Sequence, residues 1–95
     1  RPLRPLEALA GCFLERGEPE LVLSTLASVA PQLAGGAAPA EEAPRHVALC
    51  YLLGAAAQEV GRVEEARSWF LRVLAIDYAF RDAATRLASL SPPAR

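Results

Sequence analysis

From Leu6 onward, apolar side chains recur at Leu9, Ala10, Phe13 and Leu14, the three-and-four spacing that gathers them on one side of a helix. Gly17 and Pro19 close this segment. The stretch G-E-P-E at 17–20 predicts a tight corner, with Pro19 in the first turn of the next helix, where its missing amide hydrogen has no partner to lose. Leu21, Val22, Leu26, Val29 and Ala30 give that second helix its stripe, which ends before Pro31. Residues 35–44, G-G-A-A-P-A-E-E-A-P, carry no periodicity and predict a linker, with a helix beginning near Pro39 and bending or restarting at Pro44. A second pair follows. Val47, Leu49, Cys50, Leu53, Gly54 and Ala57 mark one helix face, Gly61 ends it, and Val63, Ala66, Phe70, Val73 and Leu74 mark the return helix. A fifth segment places Phe80, Ala83, Ala84, Leu87 and Leu90 on one side.

The two pairs are copies of one unit. Set against each other at an offset of 44 residues, Leu9 meets Leu53, Gly17 meets Gly61, Val22 meets Ala66 and Leu26 meets Phe70. A hairpin that is greasy on one flank hides it by stacking against its copy, which is how solenoids build a continuous core. The second copy, 47–80, resembles the tetratricopeptide repeat, a unit of about 34 residues. The resemblance rests on Leu53-Gly54, Gly61, Ala66, Phe70 and Val73. Cys50, Ala57 and Tyr78 depart from the aromatic, Tyr and Pro usual in that family, and the first copy, 3–36, has Ala10 where Gly is common.

The expected fold is therefore all-α: an α-α superhelix of two antiparallel hairpins, about 3–31 and 45–77, joined by the linker and closed by a capping helix at about 80–91. Gly54 and Ala66 are expected to permit close approach of helix backbones, with Phe70 filling the gap between hairpins.

Size and charge narrow the function. The chain has 95 residues, 53% of them hydrophobic, and a formal net charge of -1, which suits one folded domain. Its ten basic residues are all Arg and are interleaved with nine Glu and two Asp, so no electropositive track for nucleic acid is expected. The longest apolar stretch, Val47 to Ala57, is too short for a membrane span. The opening residues do not read as a signal peptide, and the absence of an initiating Met suggests a processed chain or a fragment. Cys12 and Cys50 sit in apolar stretches and read as core thiols, a bridge between them being the lesser alternative, and a cytoplasmic setting is expected.

Chemistry is sparse. His46, the single histidine, reads as a surface residue near a helix start, neither metal ligand nor general base, whose replacement should leave folding nearly unchanged. The pairs Glu18 and Glu20, Glu41 and Glu42, and Glu64 and Glu65 lie at turns and first helical turns, where capping explains them. No metal, cofactor or catalytic constellation is expected; the chain reads as a protein-interaction module and not an enzyme.

The tetratricopeptide resemblance implies that the first helix of each hairpin lines a concave face. Mapped onto this sequence, that face is Arg4, Glu7, Gly11, Leu14 and Glu15, then Ala48, Tyr51, Ala55, Gln58 and Glu59, with Leu14 and Tyr51 as apolar anchors unless the linker covers them. Family members that clamp carboxyl-terminal tails use Lys, Arg and Asn there; Asn is absent from this chain, so that specialisation is not expected. Trp69 stands about 100° round the helix from Phe70, either packed on the fifth segment, the preferred reading, or exposed as a second docking surface. The implied partner is another protein or peptide. The alternative is a second copy of the chain or a neighbouring region of a larger protein, which includes a non-catalytic regulatory domain of an enzyme.

Overall fold

A computed structural model describes residues 4–35 and 43–90, and among them every regular element is a helix, with no strand. The order is α1 (Arg4–Glu15), α2 (Pro19–Leu26), α3 (Ala30–Gly35), α4 (Ala43–Glu59), α5 (Val63–Ile76) and α6 (Ala83–Leu90). The linker expected at 35–44 lies mostly outside the described residues; Gly35 ends α3, and Pro44 is taken into the first turn of α4.

The two corners are made alike, bond for bond. In the first, Arg16 N–H donates to Cys12 O (3.0 Å), Gly17 N–H to Leu14 O (3.1 Å) and Glu18 N–H to Phe13 O (2.9 Å). In the second, Val60 N–H donates to Ala56 O (3.1 Å), Gly61 N–H to Gln58 O (3.2 Å) and Arg62 N–H to Ala57 O (2.8 Å). Each bond has its counterpart 44 residues on. Gly17 (φ 76°) and Gly61 (φ 89°) supply the left-handed residue that this C-terminal cap requires. Pro19 stands in the first turn of α2, as its chemistry demands.

Helix α4 is the hub. It packs against α1, α2, α3 and α5, and α5 in turn carries α6. Residues 46–57 are all buried. A helix that is apolar all round belongs inside, and Val47–Ala57 contains no charged side chain. Val22 and Leu26 on α2 and their counterparts Ala66 and Phe70 on α5 are all fully buried. Gly54 lies under Phe70: a Cβ built on it would stand 2.8 Å from Phe70 Cε1 and 3.0 Å from Cδ1 and Cζ.

Three expectations change here. The second helix ends at Leu26; a turn at 27–29 follows, and α3 runs through Pro31 to Gly35, with Leu33 in the core. Pro31 sits in the first turn of α3, where proline starts a helix as readily as it ends one. His46 is 7% exposed and buried, the first residue of the unbroken buried run 46–57 on α4. Cys12 is exposed, and both cysteines are free thiols.

Candidate docking surface

The residues mapped to a common face have separate fates. On α4, Ala48, Tyr51 and Ala55 are buried. Tyr51 is covered by the segment leading into α6: its ring lies 5.9 Å from Phe70 and 5.6 Å from Phe80, and the Arg81 guanidinium stands 5.3 Å over it. Its hydroxyl donates to Asp82 Oδ1. Arg86 Nε donates to Asp82 Oδ2 (3.2 Å), and Arg86 Nη1 donates to Gln58 Oε1 (2.9 Å). Tyr51, Gln58, Asp82 and Arg86 therefore form a polar clasp that holds the C-terminal segment over α4. Of the mapped residues on α4, Glu59 is the exposed one.

Burial and the acceptor carboxylate both push the Tyr51 hydroxyl upward from its ordinary value, burial the more strongly. The same bond, with Arg86 beside it, holds the Asp82 carboxyl below its usual range. Burial pushes the Cys50 thiol up to about 11 despite the opposing field of Arg72, so it is protonated and inert at neutral pH.

Helix α1 differs. Its inner side, Ala10 with Phe13 and Leu14, joins the core, so Leu14 is half-buried packing more than a free anchor. Its outer side carries an open groove of about 430 Å³ lined by Glu7, Ala8, Gly11, Cys12 and Glu15. Arg4 opens the helix, but its side chain falls outside the described set. Leu9 beside the groove is 47% exposed, while its counterpart Leu53 is 3% exposed. Ala8 and Cys12 are likewise exposed where their counterparts Leu52 and Ala56 are buried. The face that α4 buries inside this chain is thus open on α1.

No protein-family model matches the chain, and neither a curated protein nor a solved structure matches it. The site therefore has to be read from its own residues. Among the described residues no three of His, Cys, Asp and Glu converge as a metal site requires, and no helix is long and apolar enough to cross a membrane.

Trp69 is half-buried against the core and faces the first hairpin on one side. It lines a groove of about 390 Å³ with Leu23, Ala27, Ala30 and Pro31, and the Arg72 guanidinium stands 5.9 Å from its ring. The unforeseen α3 supplies that wall.

Sequence reasoning missed Ala8, Leu9 and Cys12 as surface, and Asp82 and Arg86 as the clasp. The spacing of Asp82 and Arg86, four apart near the start of the last helix, was the available signal for the second.

Proposed function

We propose that this chain is a tetratricopeptide-like docking module whose interaction surface is the outer face of α1, and that it binds protein and does not catalyse. The observation that carries this reading is the contrast between equivalent positions. Leu52, Leu53 and Ala56 on α4 are buried against helical neighbours, while Ala8, Leu9 and Cys12 on α1 are exposed. A surface shaped by the repeat for helix packing keeps that shape when its neighbour is absent, and exposed apolar groups rimmed by charges are the usual material of protein docking. The rim here is Glu7, Glu15 and Arg16. The clasp closes the α4 half of the originally mapped face, so docking there would require the C-terminal segment to leave.

Affinity capture with the intact chain tests this reading, compared with Gly11→Gln and with a control, Ser68→Gln, on the outer side of α5. A Cβ at Gly11 meets nothing within 4 Å, so glutamine fits the fold and fills only the groove. A specific captured protein lost with Gly11→Gln and kept with Ser68→Gln supports docking at α1. An identical captured set for all three proteins refutes it.

A further inference from the structure

The groove on the open face of α1 is edged by acid and empty in the middle. Glu7, Gly11 and Glu15 follow one another at intervals of four, so they form one row along the helix, with the two carboxylate positions about 12 Å apart along the axis. A Cβ at Gly11 meets nothing within 4 Å, so the centre of the row is a notch. Neither carboxylate has an ion-pair partner among the described residues, whose ion pairs, Arg62–Glu65, Arg67–Glu64 and Arg86–Asp82, all lie in the second half of the chain. Arg16, the cation at the rim, does not line the groove. The acid continues past the helix end: at the corner a second groove of about 520 Å³ sets Glu18, Glu20 and Glu59 around Pro19, Leu21 and Val60. Among the described side chains of the first hairpin, Arg16 thus stands against Glu7, Glu15, Glu18 and Glu20.

We infer that the occupant of this groove is a basic amphipathic helix of a partner protein, which lays one apolar side chain into the notch over Gly11 and brings a Lys or Arg to each of Glu7 and Glu15. The inference rests on the docking role proposed for this face and names its occupant. Charge sets the sign. Two unpaired carboxylates repel an acidic segment, a phosphate backbone and the same face of a second copy, and they attract a cation at each end. The notch sets the class. Acid alone would suit a free cation, but carboxylates two turns apart do not converge on one ion, and a gap flanked by exposed Ala8 and Leu9 is suited to an apolar side chain. The repeat sets the shape. Leu52, Leu53 and Ala56, the counterparts of Ala8, Leu9 and Cys12, are buried on α4, which packs against neighbouring helices, so the same positions on α1 are spaced to receive a helix. A helix lying along the row offers its cations about two turns apart, at i and i+8, with the apolar residue at i+4.

Two labelled peptides test it against the full chain by fluorescence anisotropy. One is an alanine-rich helix of about 16 residues with Arg at i and i+8 and Leu at i+4; the other has Glu in both Arg places. The Arg peptide should bind with a dissociation constant on the order of 100 µM, weaken several-fold between about 50 and 500 mM salt, and outbind the Glu peptide by about tenfold. Gly11→Gln should abolish its binding. Glu7→Gln with Glu15→Gln should weaken it about threefold or more, and Glu7→Arg with Glu15→Arg should reverse the preference between the peptides, with helix content by circular dichroism unchanged throughout. An Arg peptide that does not bind at about 1 mM overturns the inference. So do equal affinities for the two peptides, a preference that the charge reversal leaves in place, or binding indifferent to Gly11→Gln. Protein capture that is lost with Gly11→Gln but kept through the charge reversal removes the basic helix as occupant and leaves the docking role standing.

Discussion

Replacing Gly54 with alanine sets two known effects against each other at one position. Alanine in a helix interior is favoured over glycine by about 1 kcal/mol. At Gly54 the new methyl would stand 2.8 Å from Phe70 Cε1, well inside van der Waals contact, and Phe70 has little room to yield. Its ring is fully buried and lies 5.9 Å from Tyr51, whose own ring is backed by Phe80 at 5.6 Å. Overpacking of this kind costs about 1–3 kcal/mol. The propensity gain is removed from the comparison by a reference substitution, Gly11→Ala in α1, where the methyl meets nothing within 4 Å. Urea unfolding followed by circular dichroism at low micromolar protein should show Gly11→Ala stabilised by up to about 1 kcal/mol, with Gly54→Ala lying about 1–3 kcal/mol below it. In a Phe70→Leu background the clash is relieved, and the gap between the two alanines should shrink toward zero. A Gly54→Ala protein as stable as Gly11→Ala, or a gap that persists without the Phe70 ring, would show that Gly54 does not seat that ring.

Other consequences follow from the core and the clasp. Under native conditions one thiol, Cys12, should react promptly with a thiol reagent, and Cys50 only after unfolding; two fast thiols would contradict the burial of α4. The Cys50 pKa is raised from 9.0 to about 11, so its contribution to stability is complete below pH 9 and is lost as pH rises toward 11. Replacing Cys50 with alanine should flatten the alkaline decline, with the part owed to Tyr51 remaining because its pKa is raised in the same sense. The Asp82 pKa is lowered from 3.8, so the opposite sign holds: its contribution is present above that value and fades as pH falls through the depressed one, and Asp82→Asn should weaken the acid dependence of melting. Tyr51→Phe and Asp82→Asn should each destabilise by about 1 kcal/mol, and together by less than their sum, because they remove one shared hydrogen bond. His46→Ala should cost about 1–3 kcal/mol in urea unfolding, since the imidazole is buried; a neutral result would return it to the surface.

The hairpins were legible in the sequence because local rules decide them. A left-handed glycine closes each first helix, Pro19 starts one return helix, and the stripes Val22 with Leu26 and Ala66 with Phe70 choose the buried flank. Helix α3 was not legible, because Pro31 obeys the rule for ending a helix and the rule for starting one equally well, and among the described side chains of α3 Leu33 alone is fully in the core. The linker at 36–42 stays outside the described residues. The proposed docking face was half legible. Positions on α1 were mapped through a family pattern, and the same pattern applied to α4 pointed to Tyr51, whose ring and hydroxyl are both engaged within the chain.

The physical signal that separates the two helices was nevertheless present in the residues. Helix α4 is apolar from Val47 to Ala57 on every side, and a helix with no polar side has no side to give to water. Helix α1 alternates Glu7, Gly11 and Glu15 with its apolar stripe, so it has two different sides and buries one. Equivalent positions in a repeat share geometry, but their exposure follows from whether a neighbour exists on that side. Wherever one copy buries a side chain and the other exposes its counterpart, a helix-packing surface stands exposed among the described residues. In this molecule that comparison leaves Ala8, Leu9 and Cys12, and it is why the docking role is proposed for α1 and not for the face centred on Tyr51.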